Sequence, residues 1–502
     1  MWANFMVILF EAIYVLSLVG MAIFGFNSFI LALLYLGKRQ EVLEDQQNDK
    51  SIESWPRVTV QLPIYNERYM VERLIKSVTN LDYPRQQLQI QVLDDSTDIT
   101  ANLVQLLVAK YRAQGFAIQL IHRRERTGYK AGALENGLKQ ASGEFIAIFD
   151  ADFVPDPDWL KQTIPRFKDE ALGCLQTRWG HLNHDYNSLT RAESLGIDGH
   201  FIVEQTARSR NGLFLNFNGT AGLWRKAAIE GAGGWQSDTL TEDLDLSYRA
   251  QLKGWRIGYL PYVVVPAELP VQIDAFKNQQ FRWAKGSIQT VRKLLPQILR
   301  ANVGWGVRLG AVVHILGYTV QPLMLIMLLL TLPVSLWSGG LQHVLSYSSL
   351  IAFGPPFLYA VSSTEYKPRL WDRLRILPLL VLTGFGLTLN NSVAVFEGLF
   401  TNGGDFKRTP KFNLLNRKGS WSKNAYALPH NPLVWGELLL AVYAIFTIVM
   451  LWPKYSWTDL PWMLTYVAGY LYVAGMSFIQ SWLRHRSSER ISHEGGNRRL
   501  PA

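Results

Sequence analysis

The sequence predicts a mainly parallel α/β domain set between membrane-spanning helices, and three observations point to it. Apolar runs of spanning length lie on both sides of residues 57–300, but none lies within them. Inside that interval short β-rich runs alternate with amphipathic helical stretches, a pattern that implies right-handed crossovers and a parallel sheet. Three of the strand-like runs end in polar clusters, which is where such sheets bind ligands. Composition agrees. Of 502 residues only 18% are charged, with a formal net charge of +10, which excludes a disordered chain. The single cysteine, Cys174, excludes an internal disulfide framework, and the nine histidines have no cysteine partners for a zinc knuckle or ribbon.

In chain order, residues 7–36 are almost continuously apolar and end at Lys38 and Arg39. They exceed the roughly 20 residues needed to cross hydrocarbon, so a spanning helix with its C-terminal end inside is expected. A cleaved signal peptide would be shorter and would begin with a cation. Apolar runs return at 307–337, 344–363, 375–399, 433–453 and 459–482. If 375–399 crossed, Lys407, Arg408, Lys411, Arg417, Lys418 and Lys423 would face outside, as would Arg484, Arg486, Arg490, Arg498 and Arg499 of the tail. The positive-inside rule opposes that. Residues 375–399 are therefore expected to lie in the interface or to re-enter, leaving five crossings, the N-terminus outside and the α/β domain cytoplasmic.

The division that follows is a spanning helix (1–40), a linker (41–56), the α/β domain (57–266), interfacial helices (267–304), two spanning helices (305–366), an interfacial or re-entrant segment with a polar loop (367–432), two spanning helices (433–483) and a basic tail (484–502). Basic charge then tracks membrane topology and phospholipid, and nucleic acid is not an expected partner.

Within the domain, 57–64 (RVTVQLPI) reads as a strand and 67–80 has helical spacing. Residues 88–93 form a second strand run, 97–114 a helix, 117–122 a third strand, 130–140 a further helix, and 145–149 (FIAIF) a wholly apolar strand. The polar ends are Tyr65-Asn66-Glu67, Asp94-Asp95 and Asp150-Ala151-Asp152. Neither a G-x-G-x-x-G after the first strand nor a P-loop is present.

Each cluster has a chemical and a bland reading. Asp150 and Asp152 put two carboxylates close together at a strand end, which is unfavourable unless a cation sits between them; the alternative is a solvated turn. A hard divalent ion held by few carboxylates completes its shell with substrate phosphates, which points to a nucleoside diphosphate. Asp94 and Asp95 can accept from a ribose or a base, or Asp95 and Ser96 can cap a helix. Gly128 to Gly132, with Lys130, offers amides and a cation to an anion at a helix start. Glu242 and Asp243 after Thr241 are either a base for an acceptor hydroxyl or a capping cluster. Gln279, Arg282 and Trp283 can meet a leaving diphosphate and a sugar ring, or anchor an interface. Residues 406–411 (FKRTPK), behind Gly403 and Gly404, are either a lid or an ordinary positive-inside loop.

Together, LPIYNE, VLDDS, GYKAGAL, FDADF, FNGTAG, TEDLD and QQFRW, in this order and between membrane segments, resemble the family 2 glycosyltransferases. The likeness is greatest to the cellulose synthase-like A and C branch and its bacterial relatives. It implies a GT-A catalytic domain, an inverting reaction on a nucleotide-activated sugar, and Mn²⁺ or Mg²⁺ as cofactor. On that resemblance Tyr65, Glu67 and Asp94 hold the nucleoside, Lys130 lies near the diphosphate, and Asp150 and Asp152 form the metal site, with Asp150 also on the donor side. Asp243, beside Glu242, is the general base. Gln279, Arg282 and Trp283 match the QxxRW signature, Arg282 on the leaving group and Trp283 on the acceptor. Phe217, Asn218 and Gly219 lie near the acceptor sugar, although FNGTAG departs from the Cys-Gly-Ser version of cellulose synthases. Thr409 and Lys411 match a gating loop in which Arg408 replaces the usual valine.

The expected product is a β-linked glucan, mannan or glucomannan made from UDP-glucose or GDP-mannose and passed into the adjoining helices. The competing expectation is transfer of one sugar to a ceramide- or diacylglycerol-type lipid, and a silent scaffold or conduit is a third.

Overall fold

The computed structural model describes residues 2–47, 54–337, 353–366, 368–422, 424–452 and 460–496. Lys423, Arg498, Arg499 and the first part of the expected 344–363 span lie outside the described residues.

A seven-stranded sheet forms the centre, in the order β3-β2-β1-β4-β6-β5-β7. Its strands are β1 (Val58–Ile64), β2 (Leu88–Asp94), β3 (Ile118–His122), β4 (Phe145–Ile148), β5 (Leu172–His181), β6 (Gly222–Arg225) and β7 (Arg256–Ala267). The first four match the expected runs closely. β2 pairs with β3 and β1, β1 with β4, and β5 with β7, all parallel. β6 alone runs antiparallel to its neighbours β4 and β5. Two reversals restore the direction, so β5 and β7 end on the same edge as β1, β2 and β4.

Side-chain alternation explains the layers. Phe145, Ala147 and Phe149 face one core, built with Val60, Leu62, Leu74 and Val104, and Ile146 and Ile148 face the other, with Leu134, Phe217 and Trp224. Helices α2 (Val71–Thr79) and α3 (Thr100–Ala113) cover the first face; α4 (Tyr129–Leu138) and α6 (Glu242–Leu252) cover the second. Each fully buried Val, Leu or Phe contributes about 1.5–3 kcal/mol. Between β5 and β6 run α5 (Ser188–Asp198) and a π-helical segment, Gly199–Gln205.

After β7 the 28-residue helix α7 (Ile273–Arg300) lies across the domain. Among the described residues, four helical stretches are long and apolar enough to cross a membrane: Phe5–Glu41 in α1 (Trp2–Gln47), Gly317–Trp337, Val434–Leu451 and Leu460–Arg486. The first span after the domain begins at Gly317, not at 307, because Trp305–Ile315 is a separate helix ended by a 3₁₀ turn at Gly317–Thr319. The latter part of the 344–363 run is α9 (Gly354–Ser363), which follows α8 (Val320–Trp337). The 375–399 run is broken at Leu387, where Leu370–Gly386 and Thr388–Phe400 meet at 46°, and Asn390-Asn391 lie inside the second helix. In the second half, α12 (Thr388–Phe400), Asn390 is buried and its amide donates to the Lys277 carbonyl of α7 at 3.1 Å. Before it come α10 (Leu370–Leu374) and α11 (Leu377–Gly386). Lys277, fully buried, pairs with Glu437 of α13 (Val434–Leu451) at 2.8 Å and donates to Ser477 of α14 (Leu460–Gly496) at 3.2 Å. That pairing ties the domain to two apolar helices.

Candidate active site

The carboxyl ends of β1, β4, β5 and β7, with the segment after β2, open into one cleft roofed by α7 and the loop 401–415. β4 delivers the D-x-D. The Asp150 amide donates to the Thr220 hydroxyl at 2.9 Å, and its carboxylate meets the Lys130 ammonium at 2.6 Å. Asp152 meets the Lys411 ammonium at 2.7 Å. Each acid is thus balanced by its own cation, one from α4 and one from the loop. Burial alone would pull both ammoniums down, but Asp150 and Asp152 outweigh it and hold Lys130 and Lys411 above the ordinary lysine value.

Glu268, just past β7, fixes the loop by accepting from the Phe412 and Leu414 amides at 2.7 and 3.0 Å. Arg408 reaches Glu67 at 2.7 Å, and burial pushes Glu67 up to about 7 despite that guanidinium. A chain of aromatic and cationic groups lines the roof. Arg126 sits 3.5 Å from the centre of the Tyr65 ring, Tyr129 stacks with Phe406, and Arg282 lies 4.3 Å from the Phe406 centre.

Helix α6 supplies the carboxylate pair. Glu242 is buried and Asp243 partly exposed in the cleft. Burial, and then the charge of Asp243, lift Glu242 to about 7, and burial raises Asp243 as well, against Lys130 and Arg282. Thr241 stands at the N-cap position without capping; its hydroxyl pairs with Thr290 at 3.3 Å. Gly219 approaches Asp243 so closely that a Cβ there would lie 2.8 Å from Oδ2, and its φ of +83° suits glycine. On α7, Gln279, Arg282 and Trp283 at i, i+3 and i+4 share the face that lines the cleft.

Of the residues singled out in the sequence, Tyr65, Glu67, Lys130, Asp150, Asp152, Asn218, Gly219, Glu242, Asp243, Gln279, Arg282, Trp283, Thr409 and Lys411 line this cleft together. Two do not. Asp94 is buried behind it, its carboxylate bonded to the Ser96 amide at 3.0 Å and His122 at 2.9 Å. Asp95 takes the cleft position, held by Arg123. Neither Asp95 nor Ser96 caps α3; Asp98 accepts from the Thr100 amide instead. Phe217 is fully buried against Trp224, so it packs in the core and does not reach the cleft. The sequence reading missed Arg126, Trp179, His181, Glu268 and Arg408 as lining residues. His181 and Glu268 stand at strand ends and would have been found had β5 and β7 been recognised.

Asp150 and Asp152 suit a divalent cation. Both are hard oxygen donors, and their demand for positive charge is visible in the two lysines they hold. Among the described residues no group of three His, Cys, Asp or Glu side chains forms a cage. Phosphate oxygens and water would complete the shell, as Mg²⁺-type sites commonly require.

Residues 56–286 match the family model described as Glycosyltransferase like family 2. Among individual proteins, the chain is similar to glucomannan 4-beta-mannosyltransferase 1 of Oryza sativa subsp. japonica, 41% identical over 267 residues, 52% of this chain and 51% of the relative. The chain therefore spans about half the length of that curated relative. Among solved structures, mannosyltransferase PcManGT from Pyrobaculum calidifontis, in complex with GDP-Man and Mn²⁺, aligns at TM-score 0.48 and 20% identity over 75% of this chain and 99% of that one. S. aureus TarS aligns at 0.37 and 16%, over 68% and 55%.

Proposed function

We propose that this protein is an inverting, metal-dependent membrane glycosyltransferase. It transfers hexose from UDP-glucose or GDP-mannose to a growing β-linked glycan on the cytoplasmic side and passes the product into the adjacent helices. The observation that carries this reading is the convergence of the D-x-D, Asp243 and Arg282 on one cleft. The 41% identity to a glucomannan mannosyltransferase supports a polysaccharide product, and the Lys277–Glu437 tie between α7 and α13 supports delivery toward the membrane.

The roles follow from position. Tyr65, Glu67, Asp95 and Arg126 form the nucleoside end. Lys130, Lys411 and Thr409 meet the phosphates, with Gln279 above them. A divalent cation held by Asp150 and Asp152 would offset charge on the departing nucleotide. Arg282, kept charged by its guanidinium chemistry although burial pulls its value down, adds to that stabilisation. Asn218 and Trp283 face the acceptor, and Asp243 takes the proton from its attacking hydroxyl. One displacement at the anomeric carbon turns an α-linked donor into a β-linkage.

Asp243→Asn tests the assignment. Nucleotide release from either donor, with Mn²⁺ or Mg²⁺, should fall by about 10²–10⁴-fold, with thermal unfolding unchanged. Wild-type turnover in that variant would overturn the base assignment.

A further inference from the structure

The sheet order lays the cleft out as a line. Tyr65 and Asp95 follow β1 and β2, the D-x-D follows β4, and His181 is the last residue of β5, two strands further from the nucleoside end. Adjacent strands lie about 4.8 Å apart, so His181 stands roughly 10 Å beyond the D-x-D strand, on the side of the cleft away from the nucleoside end.

The histidine is held in place from one side only. Its Nε2 is 3.1 Å from Oδ1 of Asp198 on α5. The other oxygen of Asp198 is taken by Arg373 of α10. Burial works to raise Asp198, but His181 and Arg373 outweigh it and keep the carboxyl below its usual range. An ionised carboxylate only accepts, so Nε2–H donates to Asp198, and in the neutral ring that leaves the lone pair on Nδ1. The His181 side chain is 7% exposed and lines the cleft, and among the described residues Nδ1 has no hydrogen-bond partner. Leaving a buried acceptor unpaired is costly, and such atoms usually mark a group that a ligand satisfies. Trp179, two residues earlier on β5 and so on the same side of the strand, lines the cleft with it, as does Asn218, whose amide is held by Gln205 and His200. An apolar face next to directed polar atoms is the chemistry of a sugar ring.

Resting on the glycan-synthase reading above, we propose that His181 is an acceptor-binding residue: Nδ1 accepts a hydrogen bond from a hydroxyl of the glycan, and Asp198 with Arg373 is the positioning pair that sets its tautomer. A glycan hydroxyl is favoured because the flanking groups, Trp179 and Asn218, match a saccharide and not a lipid chain.

Two variants separate binding from structure. His181→Gln keeps a donor for Asp198 and removes the acceptor; His181→Asn keeps a polar atom near Nδ1 and loses the tie to Asp198. The assay measures transfer from radiolabelled UDP-glucose or GDP-mannose to cellohexaose and to mannohexaose, alongside calorimetric binding of UDP and GDP. H181Q should raise the acceptor KM about tenfold, the worth of one hydrogen bond, with nucleotide affinity and melting temperature unchanged. H181N should retain most of the acceptor affinity. A wild-type acceptor KM in H181Q refutes the assignment, and equal losses in both variants with lowered melting temperatures make His181 a structural partner of Asp198. If the wild-type protein labels neither oligosaccharide, or labels only lipid, the synthase reading fails and this assignment fails with it.

Discussion

Gly219→Ala puts the geometry around Asp243, the proposed base, under direct strain. The added Cβ would lie 2.8 Å from Asp243 Oδ2 and 3.3 Å from the Lys130 ammonium. The carboxylate is the movable end of a side chain, so the protein relieves the clash by pushing it back. From 2.8 to an ordinary 3.4 Å is a retreat of about 0.6 Å, and a misplacement near 1 Å costs about 10²-fold in rate. Turnover at saturating donor should therefore fall roughly 10- to 100-fold. The φ of +83° adds about 1–2 kcal/mol of backbone cost for alanine. Gly212 supplies the control: its φ is +65° and nothing lies within 4 Å of its Cβ position. Gly212→Ala should lose similar stability in a thermal melt while releasing nucleotide at the wild-type rate. A Gly219→Ala protein with wild-type kcat would refute the placement of Asp243 as the base.

Burial and then the charge of Asp243 lift Glu242 to about 7, so Asp243→Asn should bring the Glu242 titration, followed by the carboxyl infrared band, to lower pH. Because the folded-state value for Glu242 lies above its unfolded one, its contribution to stability is lost as pH rises from about 4.5 to 7, and Glu242→Gln should melt higher than wild type at pH 8 but not at pH 4. Lys411→Gln frees Asp152 from its ammonium, so Mn²⁺ titrated into nucleotide-free protein and followed by electron paramagnetic resonance should bind more tightly than to wild type. Lys277→Met strands the buried Glu437 carboxylate and should cost about 3–5 kcal/mol, recovered in large part by adding Glu437→Gln, as read by unfolding in detergent.

Much of this was legible in the sequence because local pattern and strand ends carry it. FIAIF predicted a buried strand and the D-x-D after it, and the structure places both where a parallel sheet requires. β5, β6 and β7 were not visible. LGCLQTRWGH mixes polar and apolar residues, GLWR is only four residues long, and the buried alternation of RIGYLPYVVVPA is set by pairing with β5. Asp94 and Asp95 were indistinguishable because adjacent residues on a strand end face opposite ways; only tertiary packing decides that Asp95 opens to the cleft. The lysine partners of the D-x-D come from α4 and from a loop more than 250 residues away, and no spacing rule links them.

The proposed activity is tested most directly by the fate of the transferred sugar. Purified wild-type protein is incubated with radiolabelled UDP-glucose or GDP-mannose and Mn²⁺, and the product is sized before and after β-1,4-endoglucanase or mannanase, with a parallel lipid extraction. Large labelled material that one of these enzymes shortens is the expected result. Label that partitions wholly into the lipid phase, or no nucleotide released from either donor, would contradict the glycan synthase assignment.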